Sequence, residues 1–314
     1  MTKGADLKTL LVIMIAPLCW AGNFVLARHL EGAVSPIQLN FWRWALACIT
    51  LTPFVGRQIP HIFHSMKGSW AVVLIQSATG IAIYHVLVYE ALSVTTAINA
   101  TLINSLVPMF IPLVAWIAFR RSIEMRQMVA IVLSTIGVAI VALKGSLDNF
   151  NWAAFNPGDL LMVLAAFVWA TYTVSLTKKP QQIGGVNFLW LLALLGSLMM
   201  LPFYLYDVAL HGTFAGSKSN WVTVSYVAWF AGIVAFLAWN YGSTKLAPSH
   251  LGMFAHLIPV FGSLMAILLL GEQFHAYHGI GIALVAVGLY LAFQSSLIKH
   301  VSAPKSECTK LGIN

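Results

Sequence analysis

Four ionisable side chains interrupt long apolar stretches of this chain: Arg43, His85, Glu90 and His256. A charged or titratable group in hydrocarbon is costly, so each is a candidate meeting point with a solute, a proton or a partner side chain. Arg43 and Glu90 fall at similar depth. A pair between them would offset much of the desolvation and act as a clamp between helices. Glu90 is also a candidate solute or proton site. His85 and His256 carry an imidazole that titrates near neutral pH, which suits a cavity wall coupled to proton movement. The plain alternative for either histidine is a satisfied packing group.

Neutral groups complete the candidate set. One apolar segment carries Asn99, Thr101, Asn104 and Pro108, and a later one carries His250, His256 and Pro259. Proline removes a backbone donor and strands a carbonyl one turn earlier. Inside a membrane such a break is tolerated where helices pack or where a cavity is wet. Trp20 and Trp169 sit deep in their segments, with Tyr172 one turn beyond Trp169 on the same face. Tyr84 adjoins His85, and Trp239, Asn240 and Tyr241 cluster further on. Aromatic walls of this kind stack flat or cationic solutes, although packing between helices would use the same residues. Trp70, Trp152 and Trp221 fall at segment ends and read as an interfacial belt.

The elements that must position these groups follow from composition. Of 314 residues 60% are hydrophobic and 8% charged, with mean hydropathy +0.85. A soluble domain is about 25% charged, so soluble folding, disorder and nucleic-acid binding are excluded as the main reading. Ten apolar segments are legible: 9–28, 36–56, 70–91, 94–118, 125–143, 157–177, 184–206, 221–244, 247–270 and 275–296. Each approaches the ~20 residues that span the hydrocarbon layer. Thirteen of the seventeen Lys and Arg residues fall in one set of loops. By the positive-inside rule that places both termini in the cytoplasm, as an even number of crossings requires.

The two halves repeat. At a shift of 151, Pro108 meets Pro259, Phe110 meets Phe261, Ile131 meets Ile282 and Gly137 meets Gly288; at 149, Trp20-Ala21 meets Trp169-Ala170. Five crossings per half is odd, so the halves enter the membrane from opposite sides. The predicted fold is therefore an all-α integral membrane protein of ten transmembrane helices in two inverted five-helix repeats, 9–143 and 157–296, with a cytoplasmic tail at 297–314.

Against that frame the chain resembles the ten-helix drug/metabolite transporters built from two EamA domains. The likeness runs through Trp20-Ala21-Gly22-Asn23-Phe24, Ser35-Pro36 with Phe41-Trp42-Arg43, and Ala91-Leu92 with Ala97 and Pro108. It continues in Gly158-Asp159-Leu160-Leu161, Trp169-Ala170, Pro259-Val260-Phe261 and Leu270-Gly271-Glu272. Arg120-Arg121 stand where the second half has Gly271-Glu272, a departure from the pattern. The resemblance implies a central cavity enclosed by helices 1, 3, 4, 6, 8 and 9, and hence Asn23 as a further solute contact.

It also implies a secondary transporter in the inner membrane. It would export small organic metabolites such as amino acids by alternating access, with protons as a candidate coupling ion and lipid as surroundings. The oligomeric state is open, and a monomer is compatible with the sequence. The alternative is an intramembrane enzyme acting on a lipid or isoprenoid. No nucleotide loop, hydrolase motif or zinc motif appears, and Cys19, Cys48 and Cys308 lack metal-ligand spacing, so no cofactor or metal is expected.

Overall fold

The computed structural model of the chain describes residues 6–27, 34–95, 100, 103–120, 124–147, 157–180, 182–213, 216–270 and 273–301. All regular structure among the described residues is helical. Hydrocarbon offers the backbone no water to bond, so each apolar run closes its hydrogen bonds within itself. The crossings are α1 (Leu7–Ala27), α2 (Pro36–Val55), α3 (Trp70–Leu92), α4 (Val107–Phe119), α5 (Met125–Ala142), α6 (Pro157–Lys178), α7 (Gly185–His211), α8 (Asn220–Lys245), α9 (Leu257–Leu270, entered through Pro248–Met253 and Phe254–His256) and α10 (Ala276–Val301). A short helix, Ile59–Ser65, links α2 to α3. Five of the ten, α3 and α5 to α8, are by themselves long and apolar enough to cross a membrane. Phe54, Phe203, Leu205 and Leu268 stand exposed on the outer surface. A soluble fold would bury such side chains, whereas here they face lipid.

Local signals set the helix ends. Asp6 accepts the Thr9 backbone N–H at 3.0 Å at the start of α1, and hydrogen bonds from the Thr9 side chain and backbone hold its carboxyl below the usual carboxylate range. Ser35 Oγ caps α2 by accepting the Gln38 N–H at 3.2 Å, with Pro36 at the first helical position. Two elements outrun the sequence reading. α10 continues to Val301, past 296. α7 continues to His211, past 206, and ends at Gly212 with φ +75°. Asp207 therefore lies in its last turn rather than in a loop. Its carboxylate accepts from Ser35 Oγ at 2.6 Å and from Gln38 Nε2 at 2.8 Å, tying α7 to the start of α2.

The packing repeats with the halves exchanged. α2 packs on its counterpart α7 and α5 on its counterpart α10; α1 packs on α8 and α9, while α6 packs on α3 and α4. The matched glycines explain the α5–α10 contact. A Cβ on Gly137 would lie 2.8 Å from the Gly281 carbonyl, and a Cβ on Gly288 would lie 2.8 Å from that of Ala130. Ala130 and Gly281 are themselves one repeat apart, so the two close approaches are a single contact seen twice.

Breaks repeat as well. α3 contains a π-helical stretch at Ala78–Ile83 and α8 one at Val227–Val234. α4 is entered through a turn at Ser105–Leu106, and α9 through the 3-10 turn Phe254–His256. Pro108 and Pro259 sit just beyond those turns, which is why α4 and α9 are shorter than a full crossing.

Candidate functional site

These breaks surround a central cavity. α1 contributes Trp20 and Asn23, α2 contributes Arg43, and α3 contributes Tyr84, His85, Val88 and Tyr89. Asn104 and Val107 come from the start of α4, Trp169 from α6, and Ala255 and Ile258 from the approach to α9. The α3 residues line it because positions four apart share a helix face. Glu90, the next residue after Tyr89, is turned about 100° away by the 3.6-residue period; it is partly buried and does not line the cavity.

The wall is aromatic. Trp20 and Trp169, equivalent residues of the two repeats, meet edge to face with ring centroids 5.2 Å apart. Tyr84 lies 4.7 Å from Trp169, and its hydroxyl donates to Asn104 Oδ1 at 3.3 Å. Edge-to-face packing of this kind suits the ring quadrupoles and holds the faces at fixed angles. Trp239 stands behind Trp20, at 5.2 Å between rings. Tyr172 donates its hydroxyl to Asn240 Oδ1 at 2.7 Å in a fully buried contact. Trp239, Tyr172 and Asn240 therefore back the wall rather than face the space. Tyr241 points outward, beneath the Lys245 ammonium. His256 is also behind the wall, buried, with Nε2 2.9 Å from the Ser105 carbonyl and 3.4 Å from Thr135 Oγ1. A carbonyl only accepts, so Nε2 carries the proton and Nδ1 is a buried lone pair with no partner.

Of the sequence candidates, Trp20, Asn23, Tyr84, His85, Asn104 and Trp169 meet around one space. Asn99 lies outside the described residues, as do Thr101, Trp152 and Glu272. The expected pair between Arg43 and Glu90 is not formed. Arg43 donates from one terminal nitrogen to the Ala231 carbonyl at 2.8 Å and from the other to the Tyr89 hydroxyl at 3.3 Å. The geometric reason is the turn of α3 that brings Tyr89 inward and sends Glu90 aside. The Ala231 carbonyl lies in the π-helical stretch of α8 and also accepts from Trp20 Nε1 at 3.1 Å. Arg43 is fully buried, its Nε has no partner, and it enters the site as a wall residue where the sequence favours a clamp to Glu90. Its depth in α2 was the available signal. Tyr89 had none.

Proteins similar to this chain match most of its length. An uncharacterized transporter of Archaeoglobus fulgidus is 26% identical over 90% of this chain and 96% of its own. The uncharacterized transporter YetK of Bacillus subtilis is 28% identical over 70% of this chain and 67% of its own. A solved crystal structure, 18% identical, superposes with a TM-score of 0.75 over 95% of this chain and all of that one, a likeness of fold. The pattern of the EamA-like transporter family matches residues 7–143 and again 156–294, one match to each half. With two such matches covering most of its length, this multi-pass membrane chain belongs to the EamA-like transporter family, within the drug/metabolite transporter superfamily.

Proposed function

We propose that this transporter exports small organic metabolites, amino acids and related solutes foremost, by alternating access. Solute would bind in the aromatic cavity between the two repeats, at Trp20, Asn23, Tyr84, His85, Asn104 and Trp169. The observation that carries the reading is the placement of this cavity where two broken helices, α4 and α9, enter the bundle from opposite repeats. Discontinuous helices at a repeat interface are where inverted-repeat transporters hold their solutes. Two equivalent halves rocking about that interface can exchange roles, opening the cavity first to one side and then to the other. Residues 9–143 and 157–296 would be the moving repeats. The inner membrane, with both termini in the cytoplasm, is the expected setting, and protons are the candidate coupling ion.

The test is a solute screen in proteoliposomes of the purified full-length chain. Labelled amino acids, nucleosides and polyamines are offered with and without an imposed pH gradient. Protein-dependent, saturable flux of at least one solute is expected. Flux of none, with turnover of an added lipid or isoprenoid instead, overturns the proposal.

A further inference from the structure

We propose that Arg43 is the cavity's anion-binding group and that the transported solute carries a carboxylate; this deepens the transport reading above and rests on it.

Four observations carry the step. Arg43 is fully buried, lines the cavity, and leaves its Nε without a hydrogen-bond partner. A guanidinium stays charged in proteins and offers five N–H donors in a planar fork; two of the five are used here. Both partners are neutral, a carbonyl and a phenol. The ion pair found among the described residues, His211 with Asp207, lies elsewhere, and none of the residues around the cavity is acidic. The charge, buried within the bundle, thus has no acidic partner among the described residues, a costly arrangement.

The equivalent stretch in the first repeat shows that such a carbonyl can be capped without a charge. The π-helical stretch of α3 presents the Ala82 carbonyl at the position equivalent to Ala231. There the capping donor is the neutral amide of Asn40, whose Nδ2 lies 3.2 Å from the Ile81 carbonyl and 3.3 Å from that of Ala82. An amide does for α3 what a guanidinium does for α8. At shifts of 149 and 151 the counterparts of Arg43 are Leu192 and Leu194, so the charge belongs to one repeat and to the cavity between them. A planar carboxylate is the fork's natural complement, and the Trp20, Tyr84 and Trp169 rings can receive the apolar body attached to it.

The experiment compares flux of leucine, 4-methyl-2-oxopentanoate, leucinamide and leucine methyl ester in proteoliposomes, for the wild-type chain, Arg43→Lys and Arg43→Gln. The two carboxylates are expected to move at least about tenfold faster than the amide and ester. Arg43→Gln keeps an amide N–H donor at this position without the charge and is expected to erase that preference, with carboxylate flux down about 10- to 100-fold. Arg43→Lys keeps the preference. Equal wild-type flux of acid and amide overturns the inference, and so does an intact preference in a folded Arg43→Gln chain. If Arg43→Gln fails to run as a monodisperse species, the wild-type acid-to-amide ratio still decides. Flux confined to amides, nucleosides or polyamines overturns the carboxylate while leaving transport standing; flux of nothing overturns both.

Discussion

His256 Nε2 lies 2.9 Å from the carbonyl of Ser105, and the two residues stand 151 positions apart. That interval is the shift that superposes the halves, so each repeat sends the equivalent residue to the same contact. The contact joins the two broken helices: Ser105 opens the turn before α4, and His256 closes the 3-10 turn before α9. In that first turn the Met109 N–H reaches the Leu106 carbonyl, at 2.9 Å, a tighter closure than an α-helix makes. The imidazole supplies the Ser105 carbonyl with a donor from across the repeat boundary.

Removing that donor should therefore destabilise the bundle. His256→Leu takes a hydrogen bond from a buried carbonyl, which costs about 1–3 kcal/mol. His256→Gln carries an amide N–H and should recover part of the loss. Thermal unfolding in a fixed detergent, followed by intrinsic fluorescence, checks the order wild type, Gln, Leu. Equal melting of all three would show that the cross-repeat bond contributes nothing.

The glycine contact between α5 and α10 makes a symmetric prediction. Gly137→Ala and Gly288→Ala each push a Cβ to 2.8 Å from a backbone carbonyl, which cannot swing aside as a side chain can. Overpacking of this sort costs about 1–3 kcal/mol. The two substitutions should cost similar amounts because they probe one contact from its two sides. Gly56→Ala, at a helical position with nothing within 4 Å of the added carbon, is the control and should leave the melting temperature nearly unchanged.

The aromatic wall can be tested by function. Trp20→Ala and Trp169→Ala each remove one partner of the 5.2 Å edge-to-face pair. A contact of the same kind between either ring and a bound solute would contribute about 0.5–1.5 kcal/mol beyond burial, up to about tenfold in affinity. Each variant should insert normally and raise the KM for transported solute by about that factor. Trp20→Phe keeps a ring but loses the Nε1–H bond to Ala231, so its effect should fall between. Unchanged kinetics in all three would remove both tryptophans from the solute path.

The crossings, their pairing and the deep aromatic residues were legible because each leaves a local mark. A crossing is a run of apolar residues, the repeat is a register of matched Pro, Gly and Trp, and depth is distance from a run's end. The face each side chain takes was less legible. α3 and α8 each contain a π-helical stretch, which adds a residue and rotates everything downstream relative to a 3.6-residue count. Whether Tyr89 or Glu90 meets Arg43 depends on that rotation and on how α2 docks against α3. Trp239, Tyr172 and Asn240 were likewise marked by type and depth, yet their side chains turn away from the cavity and pack behind its wall. Layer order is a property of the assembled bundle.

Topology gives the last prediction. The thirteen cytoplasm-assigned Lys and Arg residues include Lys67, in the turn after Ile59–Ser65, whereas Ser217 sits between α7 and α8 on the opposite side by the same rule. Both positions are exposed. In a background with Cys19, Cys48 and Cys308 replaced by serine or alanine, Lys67→Cys and Ser217→Cys are introduced singly. Intact cells are treated with a membrane-impermeant maleimide. Ser217→Cys should react from outside; Lys67→Cys should react only after the membrane is opened. The odd number of crossings between the two positions, α3 to α7, makes the outcome sharp: one lost or gained helix would put both cysteines on the same side. Labelling of both from outside would therefore break the five-helix count that sets the repeats in opposite orientation. A clean reversal would keep the count and turn the protein over in the membrane.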